Sequence, residues 1–194
     1  MKQGETLPVE VVFHPNWWYK NYGIKFDKNF FFDPETRVQS DRMMHQYLFE
    51  RFPDLGLGEQ DARPRPVVGG ALLAAGYIIS GILGCEIRYC GNDMHKVRYE
   101  FAKLKKVSFF DVGWGSNVKL CREALPDRFL SLRLSPERMK SKTAEEIEKD
   151  IESLLQDSAS LHKIGLCCIN MDYGTPDENV RKIFEVADRY RNRI

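Results

Sequence analysis

KIGLCCINM, at residues 163–171, is an almost continuous apolar run with the length of a β-strand. A strand whose apolar residues do not alternate with polar ones is typical of a parallel sheet that is covered on both faces. Cys167 and Cys168 stand side by side in the run, and successive side chains of a strand point to opposite faces. The run therefore predicts a buried strand in which at most one thiol faces the mouth of the sheet.

Strand and helix patterns alternate on the amino-terminal side of this run. Apolar strand patterns at 107–113 and 128–134 alternate with helix patterns at about 94–105 and 117–125, and a short strand pattern lies at 9–13. Such alternation is typical of right-handed βαβ units. We therefore predict one α/β domain over residues 1–194, with a parallel sheet of roughly four or five strands flanked by helices.

Helix starts are marked by residues that satisfy free backbone amides. Asp33-Pro34 predicts an N-cap and first helical residue for a helix that ends before Pro53. Thr143 with Glu146, and Thr175 with Glu178, fit capping boxes that open two later helices. The aromatic segment from Trp17 to Phe32, in contrast, is expected to be an irregular loop.

Composition places the chain among ordinary globular proteins. Its 194 residues suit one domain, with 43% hydrophobic and 29% charged residues. A net charge of +1 provides no field for nucleic acid. The five cysteines lack a secreted-scaffold spacing, and MKQGETLPVE lacks the apolar core of a signal peptide. We expect a cytoplasmic protein with reduced thiols that does not bind nucleic acid.

One segment has the length and composition of a membrane span. Residues 67–85, VVGGALLAAGYIISGILGC, carry no charge. The segment contains several glycines and follows Arg63-Pro64-Arg65-Pro66. We interpret it as part of the buried core and expect no membrane insertion.

The ends of the predicted strands carry the candidate ligand-binding residues. Ligands of parallel α/β sheets meet the carboxyl ends of the strands, so the residues that follow them are the candidates. Alternatives remain for two of them, since Asp111 could bind loop amides and Trp114 could simply close the end of the sheet. The candidates are His14, Trp17, Asp111, Trp114, Asn170 and Asp172.

CGNDMHK, at 90–96, brings a thiol, a carboxylate and an imidazole close together in sequence. Asp93 and His95 also fit the start of a helix, with Asp93 as its N-cap. Cys90 and Cys168, at the ends of two predicted strands, could both bind zinc. Two sulfur atoms are too few for a zinc site, so the residues leave the question open.

Several blocks of the chain resemble the uroporphyrinogen decarboxylase-like family, which includes the cobalamin-dependent methyltransferases. The resemblance implies an abbreviated (β/α)8 TIM barrel, since members of this family are usually much longer. Residues 1–88 resemble the amino-terminal part of the family and 89–194 its last barrel units. The blocks are HPNWWYKNYGIKFDKNFFFDP, GLGEQDARPRPVVGG, AAGYIISGILGCE, CGNDMHK, FFDVGWGSNV, LRLSP and CCINMDYGTPDENVRKIF.

The resemblance also implies a chemistry. The methyltransferases are similar in using a zinc site that activates a thiol toward a methyl-corrinoid. Cys90 matches one cysteine of that site, and Cys168, or alternatively Cys167, lies near the place of the second. Arg88 stands where the family pattern has histidine, and a cation opposes metal binding there. The arginine-rich motif associated with decarboxylation is not found, so we do not expect that activity.

Two functions follow as expectations. The first is a ligand-binding or accessory module that takes a corrinoid and has little or no catalysis of its own. The alternative is a zinc-thiolate methyltransferase acting on a methyl-corrinoid. A vestigial fold without independent activity is a third interpretation. A shortened barrel exposes strand edges, so we expect a homodimer or a partner chain that completes it, and a corrinoid protein as a further partner.

Overall fold

The computed structural model describes residues 7–55, 57, 87–88, 93–105 and 107–191. They form a parallel sheet with helices around it, which confirms the predicted α/β class. The elements are, in chain order, β1 (Val9–Phe13), α1 (Pro15–Tyr22), α2 (Lys28–Phe32), α3 (Pro34–Arg51), β2 (Ile87–Arg88), α4 (Met94–Ala102), β3 (Phe109–Val112), α5 (Val118–Ala124), β4 (Phe129–Arg133), α6 (Pro136–Ser141), α7 (Ala144–Asp157), β5 (Ile164–Met171) and α8 (Asp177–Arg191).

The sheet contains five strands in the order β1-β5-β4-β3-β2. Each of β2 to β4 lies beside the next described strand of the chain, and β1 lies beside the last one, β5. The strand β2 is only 2 residues long, so the other four carry most of the sheet. All four pairings are parallel, which places the carboxyl ends of the strands along one edge.

The prediction of a doubly covered strand at 163–171 is confirmed by β5. Five consecutive residues from Ile164 to Cys168 are buried. Gly165 lies where a Cβ would come within 3.0 Å of the Phe129 ring and 3.1 Å of the Pro8 carbonyl oxygen. The close approach of β1 and β4 to β5 therefore requires glycine at this position.

A bulge interrupts β5 near its carboxyl end. Val11 pairs with Cys168 but Phe13 pairs with Met171, so β5 contains one residue more than β1 over this stretch. Asn170 lies within the bulge and has a φ of 63°. This is a left-handed conformation that asparagine adopts more readily than most residues. The bulge places an exposed amide at the carboxyl edge.

The aromatic segment after β1 is helical, so the expectation of an irregular loop there was wrong. Local capping explains the difference. His14 caps α1 by accepting from Asn16 N, and Gly23 ends it with a φ of 72°. Asp27 caps α2 by accepting from Asn29 N and Phe30 N. Trp17, Trp18 and Phe30 are buried, and Trp17 stacks on Phe13 at 4.1 Å between ring centroids.

Two helix starts differ from the sequence prediction at the level of single side chains. Asp93 precedes α4 as predicted, but it binds Lys96 and makes no capping hydrogen bond. Ser116 Oγ accepts from Met94 N at 3.0 Å and so supplies that bond from a distant loop. Asn117, the first residue of the predicted helix pattern, instead caps α5 by accepting from Leu120 N. The short helix α6 lies outside the predicted helix patterns, and Ser135 caps it by accepting from Arg138 N.

The capping box at Thr143 is confirmed. Glu146 N donates to Thr143 Oγ1 at 3.3 Å, and Thr143 N donates to Glu146 Oε2 at 3.1 Å. The helix that it opens, α7, buries Ile147, Ile151 and Leu155 at helical spacing. This stripe joins the main hydrophobic core of the domain.

Several sequence predictions fall on residues outside the described ranges. They are the uncharged segment 67–85, the thiol of Cys90 and the side chain of Arg88. Within the described ranges, none of the helices combines the length and hydropathy needed to cross a bilayer.

Candidate functional site at the carboxyl edge of the sheet

Two of the predicted ligand-binding residues, His14 and Asp172, meet at the carboxyl edge. They follow the neighbouring strands β1 and β5, and His14 N donates to Met171 O at 2.8 Å. Asn16 Nδ2 donates to Asp172 Oδ1 at 2.7 Å, and His14 Nδ1 lies 3.9 Å from the same oxygen. The pairing of β1 with β5 therefore brings Asp172 next to His14 and Asn16, from which it is separated by more than 150 residues of sequence.

The imidazole of His14 has its hydrogen-bonding role fixed by α1. Its Nδ1 accepts from Asn16 N at 3.1 Å, so the proton of the neutral ring lies on Nε2. The side chain is half exposed. His14 thus presents an N–H donor toward solvent, an arrangement suited to holding a ligand oxygen and unlike that of a general base oriented by a carboxylate.

Asp172 is the acceptor at the centre of this group. Hydrogen bonds from Asn16 Nδ2 and from Tyr173 N, followed by the charges of Lys140 and His14, hold the pKa of its carboxyl below the usual range. Lys140 Nζ, from α6, lies 3.8 Å from Asp172 Oδ2. The carboxylate is therefore ionised at neutral pH and connects α6 to the β1–β5 edge.

A cavity of about 210 Å³ opens at the carboxyl end of β4. Trp114, Arg133 and Ser135 line it from the strand ends, and α6 and α7 provide the other walls. The indole of Trp114 is 42% exposed, so a flat face is available to a ligand. Trp114, predicted to bind a ligand, lines this cavity, and its role in binding stays a prediction.

An ion pair crosses one wall of the cavity. Arg138 donates from Nε to Asp150 Oδ2 at 2.5 Å and from Nη2 to Asp150 Oδ1 at 2.7 Å. Two parallel hydrogen bonds fix the plane of the guanidinium. Neither residue was singled out from the sequence, because they lie on different helices and only the fold brings them together.

Asp111 lies beneath the cavity, in a buried ion pair. Arg133 Nε donates to Asp111 Oδ1 at 3.1 Å, and Arg133 Nη2 also binds Asp111 Oδ2. Asp111 is 2% exposed and Arg133 7% exposed. Asp111 therefore positions Arg133, which lines the cavity, and does not itself face solvent.

Polar side chains continue from this pair across one face of the sheet. Asp111 on β3 pairs with Ser131 on β4. Two residues further along β4, Arg133 pairs with Cys167 on β5, which pairs with Glu10 on β1. Directly paired residues point to the same face, so all five lie together. Burial, followed by the nearby carboxylates of Asp111 and Glu10, raises the pKa of Cys167 to about 12. Its thiol is therefore protonated at neutral pH.

Cys168 points to the opposite face and lies in the hydrophobic core. It is fully buried, and desolvation raises the pKa of its thiol. Burial likewise raises the pKa of Cys121 to about 11. Zinc binds thiolates, so a ligand role for Cys168 requires its thiol to lose the proton in this apolar environment.

The described residues contain no group of three or more histidine, cysteine, aspartate and glutamate side chains arranged to bind a metal ion. Cys90, the other predicted zinc ligand, lies outside the described ranges. The zinc site implied by the resemblance therefore stays a prediction that the described residues do not support.

Two further predicted residues lie away from the cavity lining. Trp17 is 1% exposed and packs against Phe13 and Trp18 in the core. Asn170 is exposed at the β5 bulge. Trp17 therefore belongs to the hydrophobic core, whereas Asn170 lies on the surface at the carboxyl edge.

No protein-family model matches this sequence, and it has no significant match among the curated proteins. The assignment of a function consequently depends on the chemistry of the carboxyl edge.

Proposed function

We propose that this chain is a ligand-binding module whose site is the carboxyl edge of the sheet, with little or no catalysis of its own. The observation that carries the proposal is the cavity of about 210 Å³ that Trp114, Arg133 and Ser135 line at the strand ends. Parallel α/β sheets bind their ligands at this edge. The half-exposed His14, Asp172 and Lys140 form a polar group at the same edge, in which Lys140 directly follows the cavity-lining Met139 on α6.

The protonation states of the described side chains favour binding over covalent catalysis. The three described cysteines are buried, and their thiols have raised pKa values, so none supplies a thiolate at neutral pH. His14 Nδ1 already accepts a backbone N–H, and Nε2 carries the ring proton. Among the described residues, the groups at the edge are therefore donors and a fixed carboxylate.

The ligand that we propose is a corrinoid or a related tetrapyrrole, which follows from the resemblance to the uroporphyrinogen decarboxylase-like family. The cavity is much smaller than a macrocycle, so only a peripheral side chain of the ligand enters it. The macrocycle would then lie across the edge and contact the exposed indole of Trp114, since aromatic faces pack well on flat conjugated rings. A peripheral amide or carboxylate would accept hydrogen bonds from Arg138 at the cavity wall.

The strand order supports the interpretation of the domain as an arc of a barrel. In a closed parallel barrel, successive strands are neighbours and the first strand lies beside the last. In the order β1-β5-β4-β3-β2, the strands β2 to β5 follow one another as neighbours and β1 lies beside β5, whereas β1 and β2 are the two edges of the described sheet. Among the described strands, β1 and β2 are the two outer strands of this arc. We propose that a second copy of the chain covers one of these two exposed strand edges.

A titration of purified protein with hydroxocobalamin, followed by absorbance and equilibrium dialysis, tests the ligand assignment. We expect saturable binding, and we expect Trp114→Ala and Arg138→Gln each to weaken it about tenfold. Tyr99→Ala removes an aromatic side chain that is 63% exposed on α4, away from the cavity, and serves as the matched control. Binding of equal strength in all four proteins would place the ligand elsewhere.

Light scattering over a range of concentrations tests the second copy separately. The expected result is a dimer mass in the micromolar range. A monomer at high micromolar concentration would contradict the dimer and leave the ligand site unaffected.

A further inference from the structure

A second cavity, of about 440 Å³, lies on the opposite side of β1 from β5. Its walls come from β1 and from the helices α1, α2 and α3. The two cavities share none of the described lining residues. The volume falls within the range of small-molecule sites, which is about 300–1,000 Å³. Aromatic and aliphatic side chains dominate the walls, including Phe13, Trp18, Phe26, Phe30, Met44 and Leu48.

One cation, Arg37, is part of this apolar lining. Its Nε donates to Asp41 Oδ2 at 3.0 Å, and its guanidinium carbon lies 4.3 Å from the centroid of the Phe30 ring. The hydrogen bond and the ring together fix the plane of the guanidinium before any ligand arrives. Preorganisation of this kind lowers the entropy that binding must overcome.

The two terminal nitrogens of Arg37 have no hydrogen-bond partner among the described residues. Only Nε is engaged, although a guanidinium carries five N–H donors. The side chain is 28% exposed, so the terminal nitrogens are partly shielded from water. Their parallel N–H groups match the two oxygens of a carboxylate, which is the geometry that arginine recognises best.

We propose that this cavity binds an apolar monocarboxylate such as a medium-chain fatty acid. The carboxylate accepts hydrogen bonds from Nη1 and Nη2 of Arg37, and the tail packs along α3 toward Met44 and Leu48. From Arg37 to Met44 the helix axis advances about 10 Å, a distance that a medium-chain acyl tail can span. Asp41 balances the single positive charge of the guanidinium through Nε, and the two terminal nitrogens remain as hydrogen-bond donors for the ligand.

The second polar side chain in the lining is that of His45, which lies further along α3. His45 Nδ1 is buried and has no hydrogen-bond partner among the described residues. No carboxylate is among the described lining residues, and Asp41, which lies next to the lining, is bound to Nε of Arg37. The anchor for a charged head group is therefore the Arg37 end.

Calorimetric titration with decanoate and with 1-decanol, below the concentrations at which either aggregates, tests the proposal. The two probes have the same tail and differ in the charge of the head group. We expect decanoate to bind at least about tenfold more tightly than decanol, and we expect Arg37→Gln to remove most of this difference while leaving decanol binding unchanged. Arg42→Gln removes an exposed cation from the same helix and is the matched control.

A second variant keeps the test decisive if Arg37→Gln reduces folding. Met44→Trp fills the cavity with a larger side chain and should abolish the binding of both probes, while the circular dichroism spectrum stays native. Equal affinities for decanoate and decanol, or decanoate binding that survives Met44→Trp, would overturn the proposal. Probe binding that disappears as the protein dimerises would assign the cavity to a second copy of the chain and would also overturn it.

Discussion

Arg133 on β4 and Asp111 on β3 form an ion pair that is almost completely buried and connects two neighbouring strands beneath the carboxyl-edge cavity. Nε of Arg133 lies 3.1 Å from Asp111 Oδ1, and Nη2 contacts the other carboxylate oxygen. Both residues are less than 10% exposed. The pair fixes the guanidinium of a cavity-lining residue from below, so it connects the stability of the sheet to the geometry of the proposed site.

Removal of one member of this pair should destabilise the domain strongly. Asp111→Leu or Arg133→Met leaves the other charge buried without its partner, which costs about 3–5 kcal/mol of unfolding free energy. The double variant should recover most of that loss, since an apolar pair of similar volume can replace a buried ion pair. Urea unfolding of the four proteins gives the coupling energy as a double-mutant cycle.

An exposed ion pair provides the control for this cycle. Lys103 and Glu100 lie 2.8 Å apart at the end of α4, and both side chains are about 70% exposed. Their replacement by alanine should change stability by less than about 1 kcal/mol. Equal effects of the buried and the exposed replacements would contradict the structural role assigned to Arg133 and Asp111.

The described cysteines should be inert toward alkylation in the folded protein. Burial raises the pKa of Cys121 to about 11 and that of Cys167 to about 12, and it raises the pKa of Cys168 as well. At pH 8 these thiols are therefore protonated as well as shielded, and iodoacetamide should leave their peptides unmodified. Mass spectrometry of tryptic peptides measures this directly.

Two controls accompany the labelling. Gln156→Cys introduces a thiol at an exposed position of α7 and should react at the rate of a free cysteine. Unfolding in guanidinium chloride should make all the thiols reactive. Rapid labelling of Cys167 in the native protein would show a reactive thiolate and would favour a catalytic interpretation.

The carboxylate of Asp172 should stabilise the fold in a pH-dependent way. Hydrogen bonds from Asn16 and from Tyr173 N lower its pKa in the folded state. The ionised form therefore contributes stability above its unfolded-state pKa, about 4, and this contribution is lost as the pH falls through the lower folded-state pKa. Asp172→Asn should accordingly cost stability at pH 7 and have less effect near pH 2.

The magnitude of the Asp172 effect is limited by solvent. The side chain is 44% exposed, so screening reduces the contribution to at most about 1 kcal/mol. Thermal unfolding of the wild type and of Asp172→Asn, at several pH values, gives the difference. A stability difference that grows toward low pH would have the wrong sign and would exclude this role for the carboxylate.

Metal analysis separates the binding module from the zinc-thiolate methyltransferase. Cys168 lies in an apolar core that disfavours its thiolate, so we expect less than about 0.2 zinc per chain after expression in zinc-replete medium. Cys168→Ala should leave that content unchanged. About one zinc per chain, lost in Cys168→Ala, would support the methyltransferase interpretation.

The sequence predicted the elements whose signals are local. The apolar run at 163–171 and the capping box at Thr143 gave β5 and the start of α7, because burial on both faces and paired capping groups leave clear patterns. The helices α1 and α2 were not predicted, because their aromatic residues were interpreted as the packing of an irregular loop. Their caps, His14 and Asp27, are the signals that could have identified them.

The candidate site was predictable only in part. His14, Trp114 and Asp172 follow strand ends, as the rule for parallel sheets requires of its candidates, and their role in binding stays a prediction. Contacts between side chains on different elements leave no recognisable pattern in the sequence. Arg138 with Asp150, and Ser116 with Met94, are brought together by packing in three dimensions. Trp17 follows a strand end as well, but the helix that it belongs to turns its indole into the core.

Hydrogen–deuterium exchange of the protein with and without hydroxocobalamin tests the central claim most directly, because it locates the ligand without any substitution. We predict slower exchange in the residues after β3 and β4, at 113–116 and 134–140, and at the edge formed by residues 14–16 and 172–174. Protection confined to other parts of the chain, or no protection at saturating ligand, would contradict the assignment of the carboxyl edge as the binding site.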